Sequence, residues 1–178
     1  MRAAIVLAAG CSRRFGHRDK LLARYRGKPL VQHAVEAALA SPAGRVIIVT
    51  GRDARVARTV RALAGPRLSV VTLAGTHHHM SLKRALQTLR VNEREVFVFL
   101  GDMPDCPRTI GRRLAIRKGN VVRAVNRSAP GHPVLIRNPQ TVRARLERGE
   151  RPFTGEKVVR IEAGRAAARD IDRPGDLR

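Results

Sequence analysis

Short apolar runs of strand length recur along the chain, and amphipathic stretches separate most of them. Ala3 to Ala9 (AAIVLAA), Val46 to Val49 (VIIV), Leu68 to Leu73, Val96 to Leu100 (VFVFL), Val121 to Val125, Val134 to Ile136 and Val158 to Ile161 read as strands. They are nearly continuous in apolar character rather than alternating, as strands covered on both faces are. Pro29 to Ala40, Ala54 to Ala64, Ser81 to Leu89, Thr109 to Ile116 and Pro139 to Arg148 carry helical spacing. The Ser41-Pro42-Ala43-Gly44 turn stops the first of these helices. Strands alternating with helices predict an α/β domain with a mainly parallel sheet.

Composition supports one such domain over residues 1–178. With 43% hydrophobic but only 3% aromatic residues, the core must be built from Val, Leu, Ile and Ala. There is room for a sizeable core. Apolar content is ordinary, which excludes wholesale disorder. Cys11 and Cys106 define neither a disulfide scaffold nor a metal-ligand pair, which fits a reduced, cytoplasmic setting. MRAAIVLAAG runs straight into a charged loop and does not read as a signal peptide. No apolar run approaches membrane-spanning length, so no membrane partner is expected.

The formal net charge of +22, from 36 basic and 14 acidic residues, attracts anions of every kind. It permits nucleic acid as a partner. The arginines are scattered, however, and neither zinc-finger spacing nor an aromatic stacking strand accompanies them. Much of the charge reads as solvated surface, with the remainder available to a polyanionic ligand.

Ligands of parallel sheets bind beyond the C-terminal ends of the strands, so the chemistry is sought there. After the first strand comes LAAGCSRRFGHRDKLL, Leu7 to Leu22. Ala8, Ala9 and Gly10 let a ligand approach the backbone closely, and the N–H groups of a turn over Gly10 to Arg14 can form an anion nest. Arg13 or Arg14 can clamp phosphate oxygens, and Lys20 adds a mobile positive charge. Neither GxGxxG nor GxxxxGK[ST] is present. After the most hydrophobic strand comes LGDMPDCP. Asp102 leaves that strand directly and is well placed to hold Mg²⁺, whereas Asp105 suits a supporting or capping position. His77, His78 and His79 are adjacent and therefore poorly spaced for zinc. His132, between Gly131 and Pro133, is conformationally confined and can hydrogen-bond a phosphate or carboxylate.

LAAGCSRRFGHRDKLLARYRGKPLVQHAV resembles the nucleotide-binding opening of the MobA-like nucleotidyltransferases, LA[AG]GxSxRxGxxK followed by G-[KR]-P-L. LGDMP, GHPVL at Gly131 to Leu135 and ARDIDRPGDLR near the end resemble further blocks of that family, in the family's order. The resemblance implies a three-layer, Rossmann-like, glycosyltransferase-A-like fold, with residues 3–105 binding nucleotide and 106–178 binding acceptor and closing the site. It implies Leu7, Ala8, Ala9, Gly10, Ser12, Arg14, Lys20, His79 and Ser81 as nucleotide contacts. Arg14, Lys20 and Asp102 would be catalytic, Asp102 and Asp172 metal ligands, and His132 an acceptor contact. Asp170 and Asp176 read instead as turn or capping carboxylates. Mg²⁺ is the implied cofactor. The implied partners are an NTP, a small phosphorylated acceptor and a molybdoenzyme for which the chain serves as an accessory protein.

The LAAG form and the DID ending resemble the cytidylyltransferases of molybdenum cofactor maturation, hence CTP and a molybdopterin-type acceptor. GTP and a sugar-phosphate acceptor are the alternatives within the enzyme class. A basic nucleic-acid-binding domain, or a relative that binds nucleotide without turnover, are the alternatives outside it. The chain departs from the family at Phe15, at His78 and His79, and at GERPFTGEKVV, where the common GDxGxR run is missing.

Overall fold

In the computed structural model, residues 1–10, 13–15, 19–63, 65–73, 78–127 and 129–177 are described. The four parallel strands β1 (Arg2–Ala8), β4 (Arg45–Thr50), β5 (Leu68–Thr72) and β6 (Glu95–Leu100) form one side of the sheet; β2 (Arg24–Tyr25) and β3 (Lys28–Pro29) form a separate hairpin. The other side holds β7 (Val121–Asn126), β8 (Ala129–Ile136) and β9 (Val158–Glu162). The order across the seven-stranded sheet is β5-β4-β1-β6-β8-β7-β9. Only β8 runs against its neighbours, so the sheet is mostly parallel.

Strand residues alternate between two apolar clusters. Ala4 and Val6 of β1, Val46 and Ile48 of β4, and Phe97 and Phe99 of β6 face one side, where α1 (Leu30–Ala40), α2 (Ala54–Arg61) and α4 (Ile110–Ala115) cover them. Ala3 and Ile5, Ile47 and Val49, and Val96 and Val98 face the other, under α3 (His78–Gln87) and α5 (Pro139–Glu147). The three layers implied by the family resemblance are therefore present. Leu30, Val31, Ala34, Val35, Ala37 and Ala38 of α1 follow the helical period and are buried. Among the described residues no helix is long and apolar enough to cross a membrane.

Three elements differ from the sequence expectation. The strand expected at Val134 begins at Ala129, although two prolines in APGHPVLI argue against a long strand. Its first half pairs only with β7, across a register shift between Arg123 and Val125, and pairing with β6 begins at Val134. Pro130 therefore sits where β8 has a single hydrogen-bonded neighbour. Pro29 lies in the β2–β3 hairpin rather than in α1. Arg26 and Gly27 turn that hairpin with φ of 46° and 83°, the positive values a tight two-residue turn demands. Helix α3 starts at His78, so the backbone of His78 and His79 is helical rather than loop.

Gly131 explains part of GHPVL. A Cβ there would collide with the main-chain carbonyl of Ala167 and crowd that of Ala124. At Gly65 a Cβ would meet nothing within 4 Å. Thermal denaturation of Gly131→Ala is expected to show a loss of about 2 kcal/mol or more, because main-chain atoms must move. Gly65→Ala is expected to stay within about 0.5 kcal/mol of the parent.

Candidate active site

Three residues far apart in sequence meet beyond the ends of β1 and β6. The Lys20 ammonium lies 2.8 Å from Asp102 Oδ2 and 2.9 Å from Asp172 Oδ1. The second oxygen of Asp172 accepts a hydrogen bond from Arg14 Nη1 at 2.7 Å. Lys20 is presented by a single 3-10 turn, Lys20–Leu22, capped by Asp19, whose Oδ1 accepts from the Leu21 N–H. Leu21 anchors this turn in the core. A small cavity of about 30 Å³ is lined by Leu7, Ala8, Gly10, Lys20, Leu100 and Asp102, among others. The expected residues Leu7, Ala8, Gly10, Arg14, Lys20, Asp102 and Asp172 are thus brought to one end of the sheet.

Burial works against the Lys20 charge, but hydrogen bonds and charge from Asp102, then from Asp172, outweigh it and raise the Lys20 pKa. Asp172 is drawn down chiefly by its hydrogen bond from Lys20; partial burial opposes this, and Arg14 adds to it.

Ala8 and Gly101 have a packing reason for their size. A Cβ on Gly101 would lie 3.2 Å from that of Ala8, and one on Gly51 would lie 3.5 Å from the Ala9 main chain. The small residues let the turns after β4 and β6 close onto the turn after β1. Ser81 is buried in the first half of α3. Ser12 lies outside the described residues, as do Cys11, Gly16 and His77. The side chains of Arg13, His78 and His79 are likewise outside them, so the expected His79 contact is too.

Asp105 is the site's main structural carboxylate. It accepts from the Tyr25 hydroxyl at 2.9 Å and from Arg169 Nη1 at 2.9 Å, and it pairs with Arg26 at 3.0 Å. This ties the β2–β3 hairpin and the C-terminal segment to the turn after β6. That segment also donates from Ile171 N to the Asp102 carbonyl at 3.0 Å. Ile171 itself is fully buried against Tyr25 and Leu30. Asp176 Oδ2 accepts from the Asp172 and Arg173 N–H groups, the turn-capping position expected of it. Asp172 is therefore aimed from both sides. Arg169 was not legible as part of this arrangement, because nothing in ARD distinguishes its arginine from the other arginines.

His132 has a defined chemical character. Its Nδ1 lies 3.2 Å from the Val98 carbonyl, which only accepts, so Nδ1 carries the proton. Burial pushes the ring pKa down to about 4, the Val98 hydrogen bond opposing, and it is neutral at pH 7. Nε2 is then a lone-pair acceptor, suited to a hydroxyl or N–H donor of a ligand. It is ill suited to an ionised phosphate or carboxylate, and the expectation of an anion contact changes accordingly. Cys106 is buried nearby, its thiol pushed up to about 12 by desolvation, and is no candidate nucleophile.

The two carboxylates suit a hard divalent cation. Both direct an oxygen at one cationic centre, now Lys20 Nζ. Among the described residues no group of three or more metal-ligating side chains occurs. Mg²⁺ is ordinarily bound through one or two carboxylates, substrate phosphates and several waters, and Asp102 and Asp172 would supply the carboxylates.

Two outcomes are expected. Asp105→Ala leaves Arg169 and the Tyr25 hydroxyl without their shared acceptor and is expected to cost about 3 kcal/mol in chemical denaturation. For Asp172→Asn, the stability deficit relative to the parent is expected to be constant above the ordinary carboxyl value of 3.8. It then shrinks as pH falls through the lower folded value, because the parent loses its ion pair there. Denaturation midpoints between neutral pH and pH about 2 check this.

The chain resembles known proteins in sequence and in fold. Residues 4–166 match the MobA-like NTP transferase domain; Asp172 and the closing turn lie beyond the matched segment. The 3-deoxy-manno-octulosonate cytidylyltransferase of Aeromonas hydrophila is 37% identical over 100 residues, covering 54% of this chain and 39% of that protein. The chain thus spans about two fifths of the length of that curated relative. The nicotine blue oxidoreductase of Paenarthrobacter nicotinovorans is 32% identical over 167 residues, covering 93% of this chain and 78% of that protein. In fold, the chain superposes on the 4-diphosphocytidyl-2C-methyl-D-erythritol synthase of Anaerococcus prevotii with a TM-score of 0.83 at 15% identity, over 99% of this chain and 94% of that one. With the matched domain covering most of its length, the chain belongs to the MobA-like NTP transferase family.

Proposed function

We propose that the protein is a Mg²⁺-dependent nucleotidyltransferase that moves a nucleoside monophosphate from CTP to a small phosphorylated acceptor and releases pyrophosphate. The observation that carries this reading is the Lys20 ammonium shared by Asp102 and Asp172, with Arg14 on the outer oxygen of Asp172. Such a cluster joins two metal-binding carboxylates to two cations suited to phosphate oxygens.

In this reading residues 3–105 bind nucleotide and residues 106–178 bind acceptor. A terminal phosphate oxygen of the acceptor forms a bond to the α-phosphorus in line, and the bond from that phosphorus to the β-bridging oxygen breaks. Bound Mg²⁺ would supply charge neutralisation and orientation of the triphosphate, held by Asp102 and Asp172. Lys20 then exchanges carboxylate partners for phosphate oxygens, and Arg14 joins it in offsetting charge on the departing pyrophosphate. A phosphate nucleophile is already anionic near neutrality. The neutral, weakly basic His132 therefore need not act as a base, and its Nε2 can accept from an acceptor hydroxyl.

CTP is favoured by the names of two relatives, a cytidylyltransferase and a diphosphocytidyl compound synthase. Ala9 and the Asp170-Ile171-Asp172 ending favour it as well, through their resemblance to the cytidylyltransferases of molybdenum cofactor maturation. A molybdopterin-type acceptor follows from that same resemblance, as does an accessory role for a molybdoenzyme. GTP is the alternative donor. The oxidoreductase name of the relative matched over most of this chain favours a second reading, in which the nucleotide site serves binding without nucleotidyl transfer.

Calorimetric titration of CTP, GTP, ATP and UTP, with and without Mg²⁺ and at two salt concentrations, tests the proposal. Tight CTP binding that requires Mg²⁺ and is lost in Asp102→Ala is expected. Pyrophosphate release with an acceptor should fall about 10²–10⁴-fold in the same variant. Preference for GTP would keep the reaction and change the base. Mg²⁺-dependent binding without turnover across an acceptor screen would favour the second reading. Equal, salt-sensitive binding of every nucleotide, indifferent to Mg²⁺ and Asp102, would leave only the field of the +22 charge.

A further inference from the structure

One arginine sits where an apolar residue would be expected. Along a single cross-sheet row, Val98 of β6 pairs with Val134 of β8, Val134 with Arg123 of β7, and Arg123 with Arg160 of β9. Paired residues share a face, so this row starts apolar and ends in two cations side by side. The row one pleat below on the same face, Val121 and Val158, is apolar. Like charges directly across neighbouring strands repel, and a half-buried cation loses hydration.

Among the described residues no hydrogen-bond acceptor offsets that cost. Arg123 Nε is buried and has no hydrogen-bond partner among the described residues. Its guanidinium stacks 5.3 Å from the Phe153 ring centroid, a contact that supplies no hydrogen-bond acceptor. Two carboxylates of β9 and the segment before it are engaged elsewhere. Glu156 holds Arg145 at 2.9 Å, and Glu162 accepts from the Arg127 and Gly164 N–H groups. Burial, and then the Arg160 charge, lower the Arg123 pKa, as expected of an arginine short of counter-charge. Phe153 lies in GERPFTGEKVV, the stretch that departs from the family pattern.

We propose that Arg123 and Arg160 bind an anchoring phosphate of the acceptor, distinct from the phosphate that attacks. Two guanidinium groups match a phosphate dianion in charge and in fork geometry. Phe153 keeps the Arg123 fork in one plane. Strand β7 lies two strand spacings, about 10 Å, from β6, and Asp102 lies four residues beyond the Val98 row, so the main-chain positions of Arg123 and Asp102 are roughly 15 Å apart. One phosphate monoester does not cover that span, so the acceptor carries two anionic groups on a frame of about that length. His132 lies on the strand between, within the electrostatic influence of both Arg123 and Asp102. With Nδ1 engaged by the Val98 carbonyl, its Nε2 is left as an acceptor for a hydroxyl or N–H of that frame. This inference rests on the transfer reading above for the word acceptor, and on the geometry alone for the anion site.

The test is titration of methyl phosphate, and of acetate in parallel, into the full chain by calorimetry at constant ionic strength. The variants are Arg123→Met, Arg160→Gln and Arg58→Gln, the last an exposed arginine of α2 that removes the same charge elsewhere. Methyl phosphate affinity is expected to fall at least tenfold in Arg123→Met and in Arg160→Gln and to hold in Arg58→Gln. The melting temperature of Arg123→Met without ligand is expected to equal or exceed that of the parent, because an unpartnered half-buried cation has been removed. Arg160→Gln, at an exposed position, gives the binding answer even if Arg123→Met does not fold. Unchanged methyl phosphate binding in both variants, the same loss in Arg58→Gln, or acetate binding more tightly than methyl phosphate would each overturn the proposal. Loss of Mg²⁺-dependent CTP binding in Asp102→Ala with methyl phosphate binding intact would show two separate sites. If the parent binds no nucleotide and yet shows the Arg123-dependent phosphate site, the transfer reading fails while the anion site stands.

Discussion

A single ammonium group organises the functional end of this protein. Lys20 bridges Asp102 and Asp172, carboxylates contributed by the turn after a central strand and by the last segment of the chain. Without a cation between them, two carboxylates drawn this close would repel. The bridge therefore holds the segment ends together. The same geometry makes Lys20 exchangeable: what it supplies to the carboxylates a metal can supply instead, and its ammonium then suits phosphate.

That bridge depends on supports that touch no ligand. Asp19 caps the turn that presents Lys20. Asp105 gathers Tyr25, Arg26 and Arg169, and Ile171 is buried beside a main-chain hydrogen bond to Asp102. Asp176 closes the turn beneath Asp172. In a chain with 14 acidic residues against 36 basic ones, carboxylates are scarce. Several of them are spent on holding other segments in place, which leaves much of the basic surface, Arg123 and Arg160 included, open to anions.

Family membership describes the scaffold more sharply than the chemistry. A cytidylyltransferase and an oxidoreductase both resemble this chain in sequence, and a fold hosts functions that only the site distinguishes. In the proposed reaction, transfer therefore depends on the carboxylates and cations at the sheet end. The choice of acceptor depends on the far edge of the sheet, where GERPFTGEKVV and the arginine pair differ from the family's pattern and from ordinary strand packing.

The strand–helix alternation was legible in the sequence because buried parallel strands must be continuously apolar and their covering helices must keep a 3.6-residue period; Val46 to Val49 and Val96 to Leu100 left little choice. LAAG and LGDMP were legible as turns at the C-terminal ends of strands because they follow such apolar runs directly. The β2–β3 hairpin and the early start of β8 were not, since two-residue strands carry no period and prolines mask a strand that is paired on one side. Nor could sequence bring Asp172 to Lys20 across 152 positions, assign the proton of His132 to Nδ1, or reveal that Arg123 lacks an acceptor. Each of these depends on which segments the sheet sets side by side. Local composition fixes a residue's tendency, whereas neighbours from distant segments fix its charge partners and its solvation.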